Sequence, residues 1–279
     1  MQTDTSTART VASHLCTVEE HKWVNQRYRY LRVRASTPIA TQTRAGQFYQ
    51  LRCPSTLADQ PFLLRPMSVY GVGPGTHCVE FLYNVTGVGT RALSTVTSGQ
   101  TMEVVGPLGN SFAQPREGEN LLLIARGVGL ATMAPLVQDA KRAGARSTLV
   151  LSARAPADLM RQEFLRGVEA PVHTVFDSDG SSAVEEVEVL VRRLLQDSRI
   201  DRVVTCGSHR LLMMLQRVLV DAPSVKGEVA LEQRMACGMG VCLSCVRLFD
   251  VAGDKQFLRV CREGPVFPIG EVVGEVEFG

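Results

Sequence analysis

Four of the chain's eight cysteines crowd between positions 237 and 261. They read Cys237-Gly238-Met239-Gly240-Val241-Cys242-Leu243-Ser244-Cys245, followed after fifteen residues by Cys261. This is the C-x4-C-x2-C…C spacing of plant-type two-iron, two-sulfur (2Fe–2S) centres. Two irons need four converging thiolates, and three of these from one loop require a backbone that wraps the inorganic core. Gly238 and Gly240 permit positive φ and close backbone approach. They also let N–H groups face the sulfurs and tune the potential. A structural zinc site is the competing reading, although zinc spacings usually show two short C-x2-4-C pairs. A redox dithiol at Cys242 and Cys245 is a third, and such pairs normally open a helix in a βαβ context.

Two further stretches carry chemistry. Arg65-Pro66-Met67-Ser68 opens an expected strand, and Arg65 offers a charge-assisted contact to a phosphate. Leu82-Tyr83-Asn84-Val85-Thr86-Gly87-Val88-Gly89-Thr90 runs from a strand through a glycine turn into a helix. Free N–H groups and the helix dipole make such a turn a phosphate site. Each motif alone is also an ordinary strand end or turn. The five histidines show no ligand spacing, and no Ser-His-Asp arrangement stands out. No substrate acid or base is expected, so no catalytic side chain is assigned.

The elements that position these residues fall into two patterns. Short alternating segments at 28–34, 47–51, 67–70, 79–83 and 102–105 predict an antiparallel barrel or sandwich, with a short helix at 90–96. Residues 1–22 are polar and read as a loose extension. From Leu121-Leu122-Leu123-Ile124-Ala125 onward, apolar strands alternate with helices. Strands at 121–125, 147–152, 172–176 and 203–206 are followed by helices at 130–143, 156–166, 183–196 and 209–220. That order predicts a parallel sheet covered on both faces. A last strand at 227–231 enters the cysteine loop, and a hairpin or tail is expected after 261. The fold class is therefore α/β plus β. Its expected domains are an extension (1–22), a barrel (23–117), an α/β domain (118–225) and a cluster segment (226–279).

Composition narrows the function further. Thirty basic against 28 acidic residues leave a net charge of +2. A nucleic-acid binder carries a stronger basic excess. The longest apolar runs, such as Leu121 to Ala125, fall far short of the roughly 20 residues that span a bilayer. Residues 1–14 lack the apolar core of a secretory signal. Clustered thiols without such a signal read as metal ligands in a reducing, cytoplasmic setting.

The order of these motifs resembles the ferredoxin-NADP reductase superfamily. The stretches 231–246 and 260–267 narrow this to the electron-transfer subunit of class 1B dihydroorotate dehydrogenases. The resemblance covers residues 24–279. It implies a flavin-binding barrel and FAD held by Arg65, Pro66, Met67, Ser68, Leu82, Tyr83 and Asn84, with Gly89 and Thr90 at the pyrophosphate. It implies iron ligation by Cys237, Cys242, Cys245 and Cys261. It also implies a partner subunit bearing FMN that oxidises dihydroorotate and passes electrons through the cluster to FAD and then NAD.

The sequence departs from that family at the NAD site. Its Gly-Gly-Gly-x-Gly turn is here Ala125-Arg126-Gly127-Val128-Gly129. Its Cys-Gly-Pro is here Cys206-Gly207-Ser208, and its Asp-Asp-Gly-Ser turn is only partly kept at 177–181. Gly127, Gly129 and Cys206 remain as NAD(H) contacts, while Arg126 either blocks the dinucleotide, reaches a phosphate or turns to solvent. Weak NAD use and a different redox partner form the alternative expectation. A zinc-stabilised binding module is the second alternative.

Overall fold

The computed structural model describes residues 11–160, 167 and 169–274. Six strands form its first unit: β1 (Ala12–Trp23), β2 (Tyr28–Ala35), β3 (Phe48–Leu51), β4 (Arg65–Val72), β5 (Cys78–Asn84) and β6 (Thr101–Leu108). They close an antiparallel barrel in the order β1-β2-β5-β4-β3-β6. Short helices α1 (Ile39–Gln42) and α2 (Val88–Leu93) sit between strands. Alternation decides which side chains enter the barrel. Leu31, Val33, Tyr49, Leu51, Val69, Phe81 and Tyr83 fill it.

β1 corrects one expectation. Residues 12–22 are not a loose extension but part of a barrel strand, paired with β2 on one side and β6 on the other. Only Cys16 and Val18 of this strand are buried, at 0% and 1% exposure. Two inward residues are a weak periodic signal, and pairing on both edges supplies the backbone hydrogen bonds that the polar composition hides. Residues 1–10 lie outside the described residues.

The second unit contains β7 (Asn120–Arg126), α3 (Gly129–Ala143), β8 (Arg146–Ala153), β9 (Val172–Phe176), α4 (Val184–Asp197), β10 (Arg202–Cys206), α5 (His209–Val220) and β11 (Lys226–Ala230). Of the helix expected at 156–166, a 3-10 turn covers Pro156–Asp158, and 161–166 lie outside the described residues. Two more strands, β12 (Val246–Val251) and β13 (Asp254–Arg259), pair as a hairpin, and β14 (Val266–Pro268) follows. The sheet order is β14-β11-β10-β7-β8-β9. All pairs are parallel except β14 on β11.

The hairpin thus precedes Cys261 instead of following it, and the chain after 261 becomes an edge strand. Burial explains the difference. Phe267, Ile269 and Val272 join a core with Phe249, Val260 and the inner face of α5. The rings of Phe249 and Phe267 stand 4.2 Å apart. The cysteine-bearing segment therefore shares a sheet and a core with the α/β unit.

Barrel and sheet meet through apolar contact. Tyr28, Tyr30, Tyr70 and Leu82 from the barrel's outer face share a core with Leu123, Leu130 and Met133. At the opposite end of the sheet, Arg202 is buried to 2% exposure. It donates to Glu228 and to the Ala113 carbonyl at 2.7 Å each, and to Glu119 at 3.1 Å. Removing one member of a buried ion network leaves uncompensated charge, at a cost of about 3 kcal/mol. Arg202→Leu is expected to lower stability in urea denaturation by that order. A loss below about 1 kcal/mol, the range of exposed pairs, would contradict this account.

Candidate flavin and iron–sulfur centre

The cysteine loop leaves β11 and turns tightly. Gly238 and Gly240 have φ of +71° and +84°, and Leu243 has +60°. Backbone N–H groups of Met239 and Val241 point at Cys237 Sγ from 3.4 Å, and that of Cys242 from 3.5 Å. Cys245 and Cys261 are buried, with their sulfurs 3.2 Å apart. The Cys261 N–H points at Cys245 Sγ at 3.5 Å. Cys245 and Cys261 thus stand as a close pair, and the Cys237 and Cys242 side chains interact at the exposed end of the loop. Four thiols gathered this way are the donor set a 2Fe–2S cluster would need.

The thiol environments fit that charge. Burial and the neighbouring Cys245 push the Cys261 thiol up to about 12, so a bare thiolate there is costly. Iron removes the cost, because a coordinating thiol loses its proton outright. At the exposed end, hydrogen bonding from Ser244 and Cys237 pulls the Cys242 thiol down to about 6.

The loop rests on the barrel through one buried side chain that sequence reasoning missed. Gln50 of β3 is fully buried. Its Nε2 donates to the Ala236 carbonyl at 3.4 Å. A Cβ on Gly238 would lie 2.5 Å from that nitrogen. Gln50 therefore grips both neighbours of Cys237. In the barrel it pairs with Pro66, the middle of the first flavin motif. Nothing local marks Gln50; its only signal is a polar residue inside a hydrophobic strand.

A cavity of about 270 Å³ opens beside this contact. Pro66, Met67, Ser68, Leu82, Tyr83 and Asn84 line it, as do Val128, Ala131 and Thr132 at the start of α3. Leu231, Glu232, Met235 and Pro265 close the side towards the cysteine loop. Glu232 is open to the cavity yet surrounded by protein, which raises its carboxyl pKa. The Tyr83 ring belongs to the barrel core. Its hydroxyl donates to His21 Nε2 at 2.8 Å, while His21 Nδ1 donates to the Val96 carbonyl at 2.8 Å. Burial lowers His21 to about 4 and keeps it neutral. Arg65, Gly89 and Thr90 are not among the residues that line this cavity. The Arg65 guanidinium lies on Gly89, where a Cβ would meet Nε at 2.0 Å. Thr90 Oγ1 accepts from the N–H groups of Thr86 and Gly87.

A second cavity, about 210 Å³, adjoins the first through Asn84 and Val128. It lies at the carboxyl ends of β7 and β10, where the strand order reverses and open α/β sheets bind their ligands. Gly127 and Gly207 line it with φ of +54° and +95°. Gly129 lets α3 start against the Cys206 carbonyl, which a Cβ would meet at 2.4 Å. The Cys206 side chain is buried in the core at 1% exposure, and burial raises its thiol pKa. Gly207, not Cys206, faces the crevice. Arg126 lines this cavity and does not simply turn to solvent. It forms a bidentate pair with Asp177 at 2.8 and 3.1 Å and donates to Ser152 Oγ at 2.8 Å. That pair lowers the Asp177 carboxyl to about 2.

Barrel, parallel sheet and paired thiols together define an electron-transfer oxidoreductase of the ferredoxin-reductase type, with FAD and a 2Fe–2S cluster as cofactors. Residues 232–273 match the iron-sulfur cluster binding domain of dihydroorotate dehydrogenase B. The electron transfer subunit of dihydroorotate dehydrogenase B (NAD(+)) from Desulforamulus reducens is 33% identical over 237 residues, covering 85% of this chain and 89% of that one. The same subunit from Streptococcus pneumoniae is 33% identical over 234 residues, covering 82% and 89%. A structure of NADH-dependent reduced ferredoxin-NADP oxidoreductase, described for flavin-based electron bifurcation, superposes with a TM-score of 0.76 at 26% identity over 93% of this chain and 90% of that one. The ferredoxin reductase of carbazole 1,9a-dioxygenase shares the fold, with a TM-score of 0.62 at 17% identity over 79% and 70%. The chain belongs to the family of dihydroorotate dehydrogenase B electron transfer subunits. The iron–sulfur domain sets aside the zinc reading. No helix among the described residues is long and apolar enough to cross a membrane.

Gly238→Ala tests the grip on the loop. Both its positive φ and the Gln50 contact oppose a side chain. The expected outcome is protein that retains FAD but loses most of its iron and visible cluster absorbance. Unchanged iron content would show that the loop tolerates displacement from Gln50.

Proposed function

We propose that this chain is the electron-transfer subunit of a heteromeric complex whose FMN-bearing partner oxidises dihydroorotate. The observation that carries this reading is the adjacency of its two sites. Met235 and Pro265 line the flavin cavity, two residues before Cys237 and four after Cys261. Cys237, Cys242, Cys245 and Cys261 hold the cluster. Pro66, Met67, Ser68, Leu82, Tyr83 and Asn84 cradle FAD, while Arg65, Gly89 and Thr90 meet its phosphates. When bound, the cluster carries single electrons and FAD converts between one-electron and hydride chemistry.

The protein's own work is placement. Gln50 fixes the loop against the barrel, and the N–H groups on Cys237 stabilise negative charge at its sulfur. Exposed Cys242 marks the side on which a partner delivers electrons. Gly127, Gly129 and Gly207 leave room for a pyridine dinucleotide beside the flavin cavity. The four thiols belong in a reducing compartment, which supports a cytoplasmic setting. A second reading keeps the same electron path but exchanges the dihydroorotate-oxidising partner for another oxidoreductase. The 26% identical bifurcating structure and the departures at Arg126 and Ser208 favour it.

Purification from the native source under anaerobic conditions separates the two. An FMN subunit with dihydroorotate-dependent flavin bleaching supports the first reading; a different redox subunit supports the second. Cys245→Ser is expected to remove the cluster absorbance and stop electron exchange with the partner, while pyridine nucleotide still reduces FAD. A colourless, zinc-containing protein would falsify the cluster assignment.

A further inference from the structure

Two buried glutamines stand three residues apart, one just before β3 and one within it, and the fold treats them differently. Gln47, at 2% exposure, is satisfied at both ends. Its Oε1 accepts from the Arg44 N–H at 2.8 Å, and its Nε2 donates to the Gly109 carbonyl at 3.0 Å. Gln50, at 0% exposure, is not satisfied. Its Nε2 makes one long bond, 3.4 Å, to the Ala236 carbonyl. Among the described residues its Oε1 has no hydrogen-bond partner. A buried acceptor left unpaired costs more than one neutral hydrogen bond returns. Such an atom in a native fold calls for an explanation, and a redox role is one.

The amide of Gln50 nonetheless has one orientation. Turning it over would set an oxygen against the Ala236 carbonyl oxygen. Its Nε2, Cγ and Cδ lie over Gly238, where a Cβ would meet them at 2.5, 2.9 and 3.1 Å. The nitrogen is the nearest of the three, so the donor end of the amide faces the cysteine loop. The same turn already aims three backbone N–H groups at Cys237 Sγ. Residues two apart on a strand share a face, so Gln50 lies beside Phe48, which lines the flavin cavity. Pro66, its partner across the ladder, lines that cavity too. Gln50 therefore stands between the flavin cavity and the first cluster ligand.

We infer that Gln50 sets the reduction potential of the cluster relative to the flavin, its amide N–H end stabilising the negative charge that each electron brings to the Cys237 side. The inference rests on Cys237 as a cluster ligand and on the electron path proposed above. One electron arrives and one leaves, and no bond at Gln50 forms or breaks. A fixed donor beside a ligand favours the more negative, reduced form and raises the midpoint. Full burial strengthens the effect, because the surroundings screen it little. That interaction offsets the unpaired Oε1, which Gln47 shows the fold is able to avoid. The amide makes the cluster a better acceptor of electrons from a partner and a weaker donor to FAD.

The test uses the holoprotein with FAD and cluster in place and no partner subunit. Cluster and flavin midpoints are read separately, by redox titration followed by EPR and by visible absorbance. Gln50→Met keeps the length of the side chain and removes the donor. Its cluster reduction equilibrium is expected to shift about fivefold towards the oxidised form, the scale of one hydrogen bond, with iron content and flavin midpoint unchanged. Gln50→His retains an N–H donor and is expected to shift less. An unchanged cluster midpoint in iron-replete Gln50→Met would overturn the inference and leave Gln50 a mechanical clamp. So would an equal shift in Gln50→His, or a flavin midpoint that moves as far as the cluster's. Should the variants lose iron, the unaltered sequence decides. With 15N in the glutamine side-chain amides, pulsed EPR of the reduced cluster is expected to show a 15N coupling, and its absence would overturn the inference. A different redox partner would change the proposed electron path and leave every one of these readings as it stands.

Discussion

The contact between Gln50 and Gly238 is the constraint on which the rest depends. Electron exchange between a flavin and a cluster needs a short, fixed separation, yet their binding residues come from distant parts of the chain. A barrel strand must touch the cysteine loop without a side chain intervening. Glycine at 238 allows that approach, and the buried amide of Gln50 holds it. A second tether acts on the far side of the cluster. Asn110, just past β6, donates to the carbonyls of Glu263 and Gly264, directly after Cys261. The two tethers grip the loop from both flanks of its ligand set.

The sheet answers the same demand from below. By placing β14 antiparallel on β11, the chain brings Pro265 to the larger of the two adjoining cavities and buries Phe267 against Phe249. The cluster segment is thereby welded into the α/β core. The start of α3 then serves two sites at once. Val128 lines both cavities, so the two share a wall that neither can move independently. The electrostatics of the two cavities differ. One is walled mainly by apolar groups, the other by arginines, in keeping with a ring system in the first and phosphates in the second.

Local features were legible in the sequence, and long-range ones were not. The cysteine spacing states its chemistry within nine residues plus one outlier, because three ligands share a loop. The buried run at 121–125 and its helices follow directly from hydrophobic period. Pro66 to Ser68 and Leu82 to Asn84 were recognisable by their order. Gln50, Glu232, Met235 and Pro265 were not, because only folding brings the last three to the larger of the two adjoining cavities and Gln50 to the cysteine loop. The strand at 12–23 was hidden by its polar outer face. Arg126 was visible as a departure, but its partner Asp177 lies two strands away and no local pattern joins them.

The barrel's closure has a consequence for handling the protein. β1 covers the edges of both β2 and β6, so it is a seam and not an appendage. A truncation guided by its polar composition would bare two rows of unpaired N–H and C=O groups. Such rows are templates for strand addition from another copy. Shortening the N-terminus to improve solubility would therefore convert a closed surface into an adhesive one.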